Sequence, residues 1–145
     1  MKLLIINGPN LNMLGIRGRE LYGTRDYAAL CAYCRGQAKA LGIEVELYQS
    51  NHEGDLVDAI QQALGRADGI VINPGAYTHT SIAILDALKA VRIPACEVHL
   101  TDVGAREEFR RISYVRLACE ASFIGYGFDG YRLAMEHLKE RYGKA

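Results

Sequence analysis

The chain lacks a long apolar run, an excess of charge of either sign, and any repeated or low-complexity segment. No stretch approaches the roughly 18 consecutive apolar residues of a membrane-spanning helix. The opening Met1-Lys2-Leu3-Leu4-Ile5-Ile6-Asn7 is also too short an apolar run for a secretion signal. A cytoplasmic address is therefore expected. Seventeen basic side chains balance seventeen acidic ones, so net charge gives no reason to expect nucleic acid or an anionic membrane as a partner, and it mildly favours self-association. Four cysteines, Cys31, Cys34, Cys96 and Cys119, are too few for a disulfide scaffold, and free thiols suit the same compartment. Without a linker, the 145 residues read as a single domain, 1–145, with a core large enough to fold alone.

Short β-branched runs alternate with stretches of helical period along the whole length. Strands are expected at Leu3–Ile6, Glu44–Tyr48, Ile70–Ile72, Ala95–His99 and Ala118–Ile124. Helices are expected from Asp26 to Leu41, Glu53 to Leu64 and Ser81 to Val91, with a last one striped by Tyr131, Ala134, Met135, Leu138 and Tyr142. In the second helix Leu56, Val57, Ile60 and Leu64 should face inward. Strands joined by helices are parallel with right-handed crossovers. The pattern fits a three-layer α/β/α fold around a doubly wound, flavodoxin-like, five-stranded parallel sheet of order 2-1-3-4-5. Ligands of such sheets bind beyond the carboxyl ends of the strands, near the switch point between strands one and three.

Polar residues collect at those ends. Strand one runs into Asn7-Gly8-Pro9-Asn10, strand three into Asn73-Pro74-Gly75-Ala76-Tyr77-Thr78-His79, and strand four carries Glu97 and His99 into Leu100-Thr101-Asp102. Asn, Gly and Pro are also ordinary turn formers, so for those residues both readings stand. Glu97 and His99 lie two apart on a strand and share a face, where a carboxylate can orient an imidazole or favour its cation. That pairing suits a general acid, with a surface ion pair as the bland alternative. His137 should be solvated on the last helix. In the glycine-punctuated loop, Arg17, Arg19 and Arg25 bracket Tyr22; guanidinium groups favour a phenolate, so this tyrosine suits a base, although flexible basic loops often lack any such role. The i, i+4 spacing of Arg106 and Arg110 points both one way if the segment is helical, towards an anionic, oxygen-rich substrate or towards solvent.

Other motifs fail on context. Neither a His-Glu-x-x-His helix nor paired Cys ligand motifs occur, so no metal is expected among Glu97, His99, His79 and Asp102. Cys31-Ala-Tyr-Cys34 sits in mid-helix on the core stripe, where packing explains it better than redox chemistry. Gly125-Tyr-Gly-Phe-Asp-Gly130 matches G-x-G-x-x-G, but too little chain follows for a dinucleotide-binding unit. Its glycines read as a tight turn and a close helix–sheet contact. No phosphate-binding G-x-x-x-x-G-K-[ST] is present. The residues thus define an acid–base site for a small polyoxygenated anion with no cofactor, and leave the reaction open.

Five ordered motifs narrow it: Asn7-Gly-Pro-Asn-Leu-Asn-x-Leu-Gly-x-Arg17 with Tyr22-Gly23; Gln49-Ser-Asn-x-Glu-Gly54; Asn73-Pro-Gly-Ala-Tyr-Thr-His-Thr-Ser81; Glu97-Val-His-Leu100; and Arg106-Glu-x-Phe-Arg110 with Ser113-Tyr114. Together they resemble the type II 3-dehydroquinate dehydratases over nearly the whole chain. The resemblance implies conversion of 3-dehydroquinate to 3-dehydroshikimate in the shikimate pathway by anti elimination through an enolate, without metal or Schiff base. It implies Tyr22 as base with Arg17 lowering its pKa, Asn10 holding a water at the enolate oxygen, and His99 paired with Glu97 as acid. The backbone amides of Leu100 and Thr101 would take the substrate carboxylate, Asn73, His79 and Arg110 the ring hydroxyls, and Arg106 would help order the site. Asp86 would reach a neighbouring subunit's site in a dodecamer built from trimers. Three positions depart from the family pattern: Arg17-Gly18-Arg19 where Arg-Glu-Pro is usual, Asp102 for asparagine, and Ile112 for histidine. The resemblance implies that Arg17 and Tyr22 sit on a mobile lid, and a looser lid and weaker substrate affinity are expected from these departures.

Overall fold

The computed structural model describes residues 1–16, 20 and 24–144. Its elements run β1 (Lys2–Asn7), α1 (Tyr27–Leu41), β2 (Glu44–Gln49), α2 (Glu53–Gln62), β3 (Gly69–Asn73), α3 (Ile82–Val91), β4 (Ala95–His99), β5 (Ala121–Ile124) and α4 (Asp129–Tyr142). All strand pairs are parallel, in the order β2-β1-β3-β4-β5. Strand one therefore lies beside both two and three, which places the switch point at Asn7 and Asn73, partners in register at the ends of β1 and β3.

Strand alternation divides the core into two layers. Leu3 and Ile5 of β1, Val71 of β3, and Cys96 and Val98 of β4 pack against Leu30, Cys34 and Ala38 of α1 and Tyr131, Ala134, Met135 and Leu138 of α4. On the other face Leu4, Ile6, Ile70 and Ile72 meet Leu56 and Ile60 of α2 and Ile84 and Leu88 of α3. Cys34 and Cys96 are buried free thiols that burial pushes up to about 12, so both serve packing rather than nucleophilic chemistry.

Helix ends follow from local chemistry. Asp26 accepts from the Ala29 N–H at 2.8 Å and Ser81 from the Ile84 N–H at 3.0 Å, satisfying first-turn donors of α1 and α3. Gly42 ends α1 in the left-handed region at φ 69°. Of the inward residues expected in the second helix, Leu64 is instead 63% exposed and Ala63 is buried. The helix stops at Gln62, and the chain turns towards Gly65 at φ 76°, which swings Leu64 out. Ala118 belongs to a 3-10 turn over Val115–Ala118, so the fifth strand begins three residues later than expected, at Ala121. Nor is His137 merely solvated: its Nε2 lies 3.1 Å from Glu120 Oε2 and its ring meets Phe123 edge-on. Among the described residues no helix is long and apolar enough to cross a membrane.

Candidate active site

At the carboxyl ends of β1, β3 and β4 lies a cavity of about 240 Å³. Its walls include Asn10, Asn73, His79, His99, Leu100, Thr101, Arg106 and Arg110. Asp86 stands apart from it, exposed on α3. Arg17 and Tyr22 lie outside the described residues, as do Gly18 and Arg19.

Two interlocked loops form one wall. A Cβ on Gly8 would sit 2.5 Å from the Pro74 carbonyl oxygen, and one on Gly75 would sit 3.0 Å from that of Pro9. The loops after β1 and β3 thus approach at backbone distance, and glycine at both contacts permits it. Asn10 adopts φ 71°, a left-handed conformation that asparagine tolerates better than most residues. Its N–H donates to Asn51 Oδ1 at 3.0 Å, Gln49 Nε2 donates to the Gly8 carbonyl at 3.1 Å, and Tyr77 Oη donates to the Asn51 carbonyl at 2.9 Å. The Gln49-Ser-Asn motif at the end of β2 is therefore a brace for the Asn10 loop.

Behind that wall, Tyr131 of α4 is fully buried and joins the two central strand ends. Its hydroxyl donates to Asn7 Oδ1 at 2.6 Å and accepts from Asn73 Nδ2 at 2.9 Å. Asn73 Oδ1 accepts from the Gly75 N–H at 3.2 Å, so the side chain is held at both ends. One of its two Nδ2 hydrogens goes to Tyr131, which leaves the other for a ligand.

Glu97 and His99 occupy one face of β4, with His99 Nε2 2.7 Å from Glu97 Oε1. The carboxylate is fully buried and collects other donors: Thr78 Oγ1 at 2.5 Å and Ser113 Oγ at 2.8 Å on Oε1, and Ser122 Oγ at 3.2 Å on Oε2. Arg116 Nε stands 3.6 Å from Oε2. Burial alone would raise the Glu97 pKa. The hydrogen bond and charge of His99, with the hydroxyls of Thr78 and Ser113, outweigh burial and hold it down at about 2. Glu97 is then an anion at neutral pH and accepts only, so Nε2 of His99 carries the shared hydrogen and Nδ1 is left for exchange with a ligand.

His79 Nδ1 donates to the Ile112 carbonyl at 2.6 Å. Burial lowers its pKa, with the charges of His99 and Arg110 adding to the effect and the Ile112 carbonyl opposing it. The neutral ring so favoured presents Nε2 as an acceptor. Because the backbone carbonyl of Ile112 makes this contact, the exchange of histidine for isoleucine there leaves it intact.

Arg106 and Arg110 share the cavity without sharing a helix. The segment is two short 3-10 turns, Val103–Ala105 and Glu108–Arg111, so helical spacing is not what aligns the two arginines. Arg110 Nε pairs with Glu107 Oε2 at 2.5 Å. Asp102 Oδ1 accepts from the Gly104 N–H at 3.1 Å, capping its own turn rather than lining the cavity. The glycines after β5 have structural work: Gly125 and Gly127 take positive φ and donate N–H groups to the carbonyls of His99 and Leu100. A Cβ on Gly130 would lie 3.0 Å from Val98 Cγ1, which marks a close helix–sheet contact.

Sequence reasoning missed Thr78, Ser113, Ser122 and Arg116 as groups around the carboxylate. Thr78 and Ser113 lie inside motifs already singled out, but a lone hydroxyl carries no periodic signal, and these residues come from separate parts of the chain.

A buried ionised carboxylate orienting a histidine, beside arginines and amides at the switch point of a parallel sheet, defines an acid–base enzyme site for a small anionic ligand. The family model for class II dehydroquinase matches residues 1–139, and the chain belongs to that family. It is 49% identical over 144 residues to a 3-dehydroquinate dehydratase of Clostridium acetobutylicum, covering 99% of this chain and 100% of that protein. The fold superposes on the crystal structure of a type II dehydroquinase from Butyrivibrio crossotus with a TM-score of 0.94 at 51% identity, covering 96% of this chain and 97% of that one. A second type II dehydroquinase, from Propionibacterium acnes, gives 0.92 at 39% identity, with 96% of each chain covered.

Proposed function

We infer that this chain, acting as a single domain, dehydrates 3-dehydroquinate to 3-dehydroshikimate in the shikimate pathway. The reaction breaks a C2–H and a C1–O bond, forms the C1–C2 double bond and releases water. Tyr22, its phenolate favoured by Arg17, removes the C2 proton. Asn10 holds the water that stabilises the resulting enolate oxygen. His99, oriented by Glu97, gives the Nδ1 proton to the departing C1 hydroxyl. The amides of Leu100 and Thr101 take the carboxylate, Asn73, His79 and Arg110 hold the ring hydroxyls, and Arg106 orders the site. A metal, a Schiff base and a cofactor have no part in these steps.

The observation that carries this reading is the Glu97–His99 pair, 2.7 Å apart, in the same cavity as Asn73, His79, Arg106 and Arg110. A cytoplasmic dodecamer of trimers completes the proposal, with Asp86 reaching from the exposed face of α3 to a neighbouring subunit's site. The test is near-ultraviolet absorbance after adding the purified protein, pretreated with borohydride, to 3-dehydroquinate in EDTA. A rise from the conjugated enone of 3-dehydroshikimate is expected. A folded protein and verified substrate with no rise would leave a ligand-binding relative without catalysis.

A further inference from the structure

Glu97 receives donors on both oxygens from residues that stand outside the cavity. Neither Thr78 nor Arg116 lines it. Thr78 is fully buried and makes the shortest contact to Oε1, at 2.5 Å. Its hydroxyl also lies 2.7 Å from Ser113 Oγ, which itself reaches Oε1 at 2.8 Å. Three oxygens thus share two hydroxyl hydrogens, and every arrangement of those hydrogens leaves at least one on Glu97. On the far oxygen the Arg116 guanidinium supplies positive charge at 3.6 Å. The backbone N–H of Arg116 donates to Ser113 Oγ at 3.1 Å, so side-chain substitution there leaves the hydroxyl bond intact.

We propose that Thr78 and Arg116 are positioning residues for the proton donor, one on each oxygen of Glu97, holding the carboxylate charged and in register with His99 Nε2. This rests on His99 being the acid, as inferred above. Thr78 shares Oε1 with the imidazole and competes for its lone pairs, and Arg116 draws negative charge towards the far oxygen. Removing either concentrates that charge on His99, which then keeps its proton to higher pH and gives it up less readily. Other titratable groups face the pair: His79, Arg106 and Arg110 from the cavity side, and Cys119 from the segment before β5. None of them is altered in the test. Arg17 and Tyr22 lie outside the described residues.

The test compares pH profiles of kcat and KM for wild type, Thr78→Val, Thr78→Ser, Arg116→Gln and His99→Asn, with folding checked by circular dichroism. Thr78→Val keeps the shape and loses the hydroxyl. We expect its kcat to fall about tenfold with KM within about twofold, and the limb on which activity declines at high pH to move up by about half a unit or more. Thr78→Ser restores both. Arg116→Gln moves the same limb in the same direction by less. A folded Thr78→Val with an unmoved limb overturns the proposal. If Thr78→Val does not fold, an unmoved limb in Arg116→Gln, an exposed position, overturns it instead. Persistence of that limb in residual His99→Asn activity would overturn the acid assignment, and this proposal with it. Its loss there, beside an unmoved limb in the other variants, would overturn this proposal alone.

Discussion

A buried carboxylate at about 2 in the folded chain ties stability to pH. The ordinary value for an unfolded glutamate is about 4.3. Because the folded pKa is depressed, Glu97 stabilises the fold above the unfolded value, and the contribution is lost as pH falls from there towards 2. The shift corresponds to on the order of 3 kcal/mol. Urea midpoints measured from pH 7 to pH 3 should fall more steeply for wild type than for Glu97→Gln, and parallel curves would refute the linkage. The geometry of this residue was half legible. The spacing of two on a strand places Glu97 beside His99, because side chains alternate faces. The hydroxyls that keep it charged come from beyond β3, from the turn after the arginines and from β5. Only the folded chain brings those together, and serine and threonine have no pattern of their own to betray it.

Element order was the most legible feature, since period two and period 3.6 compete cleanly along this chain. Ile70–Ile72 reads as a strand because it is a short apolar run with no polar face, and Ala95–His99 carries its two polar side chains, Glu97 and His99, on one face. Boundaries were less so. Leu64 satisfies the helical stripe in sequence, yet the helix ends before it. Arg106 and Arg110 reach one cavity through successive 3-10 turns, whose geometry no i, i+4 argument describes. The loops after β1 and β3 turn the chain and also line the cavity. Gly8→Ala forces a Cβ against the Pro74 carbonyl, where no flexible side chain can yield. It should cost about 2 kcal/mol in thermal or urea unfolding and raise KM through displaced Asn10 and Gly75. A variant with unchanged stability and KM would show the approach to be slack.

For the molecule as a whole, zero formal net charge at pH 7 offers little repulsion between copies. Asp86 is exposed on α3, with Ile82, 54% exposed, one turn before it. If Asp86 serves a neighbour's site, a variant lacking it and a variant lacking His99 fail at different places. Asp86→Ala and His99→Asn proteins, each impaired, should regain activity when denatured together and reassembled, because mixed oligomers contain sites with both residues intact. Light scattering supplies the subunit number. Activity of the mixture no greater than the sum of its parts would confine Asp86 to its own subunit.

The buried joint between Asn7 and Tyr131 links residues 124 positions apart. It places the back wall of the pocket among the least local contacts of the chain, where loop closure is costly and pairing comes late. A refolding chain can thus build β1, β3 and much of the sheet while still lacking a rigid platform for Asn73. Recovery of catalysis should therefore lag recovery of helical signal, and the enzyme's own turnover becomes a clock for the docking of α4.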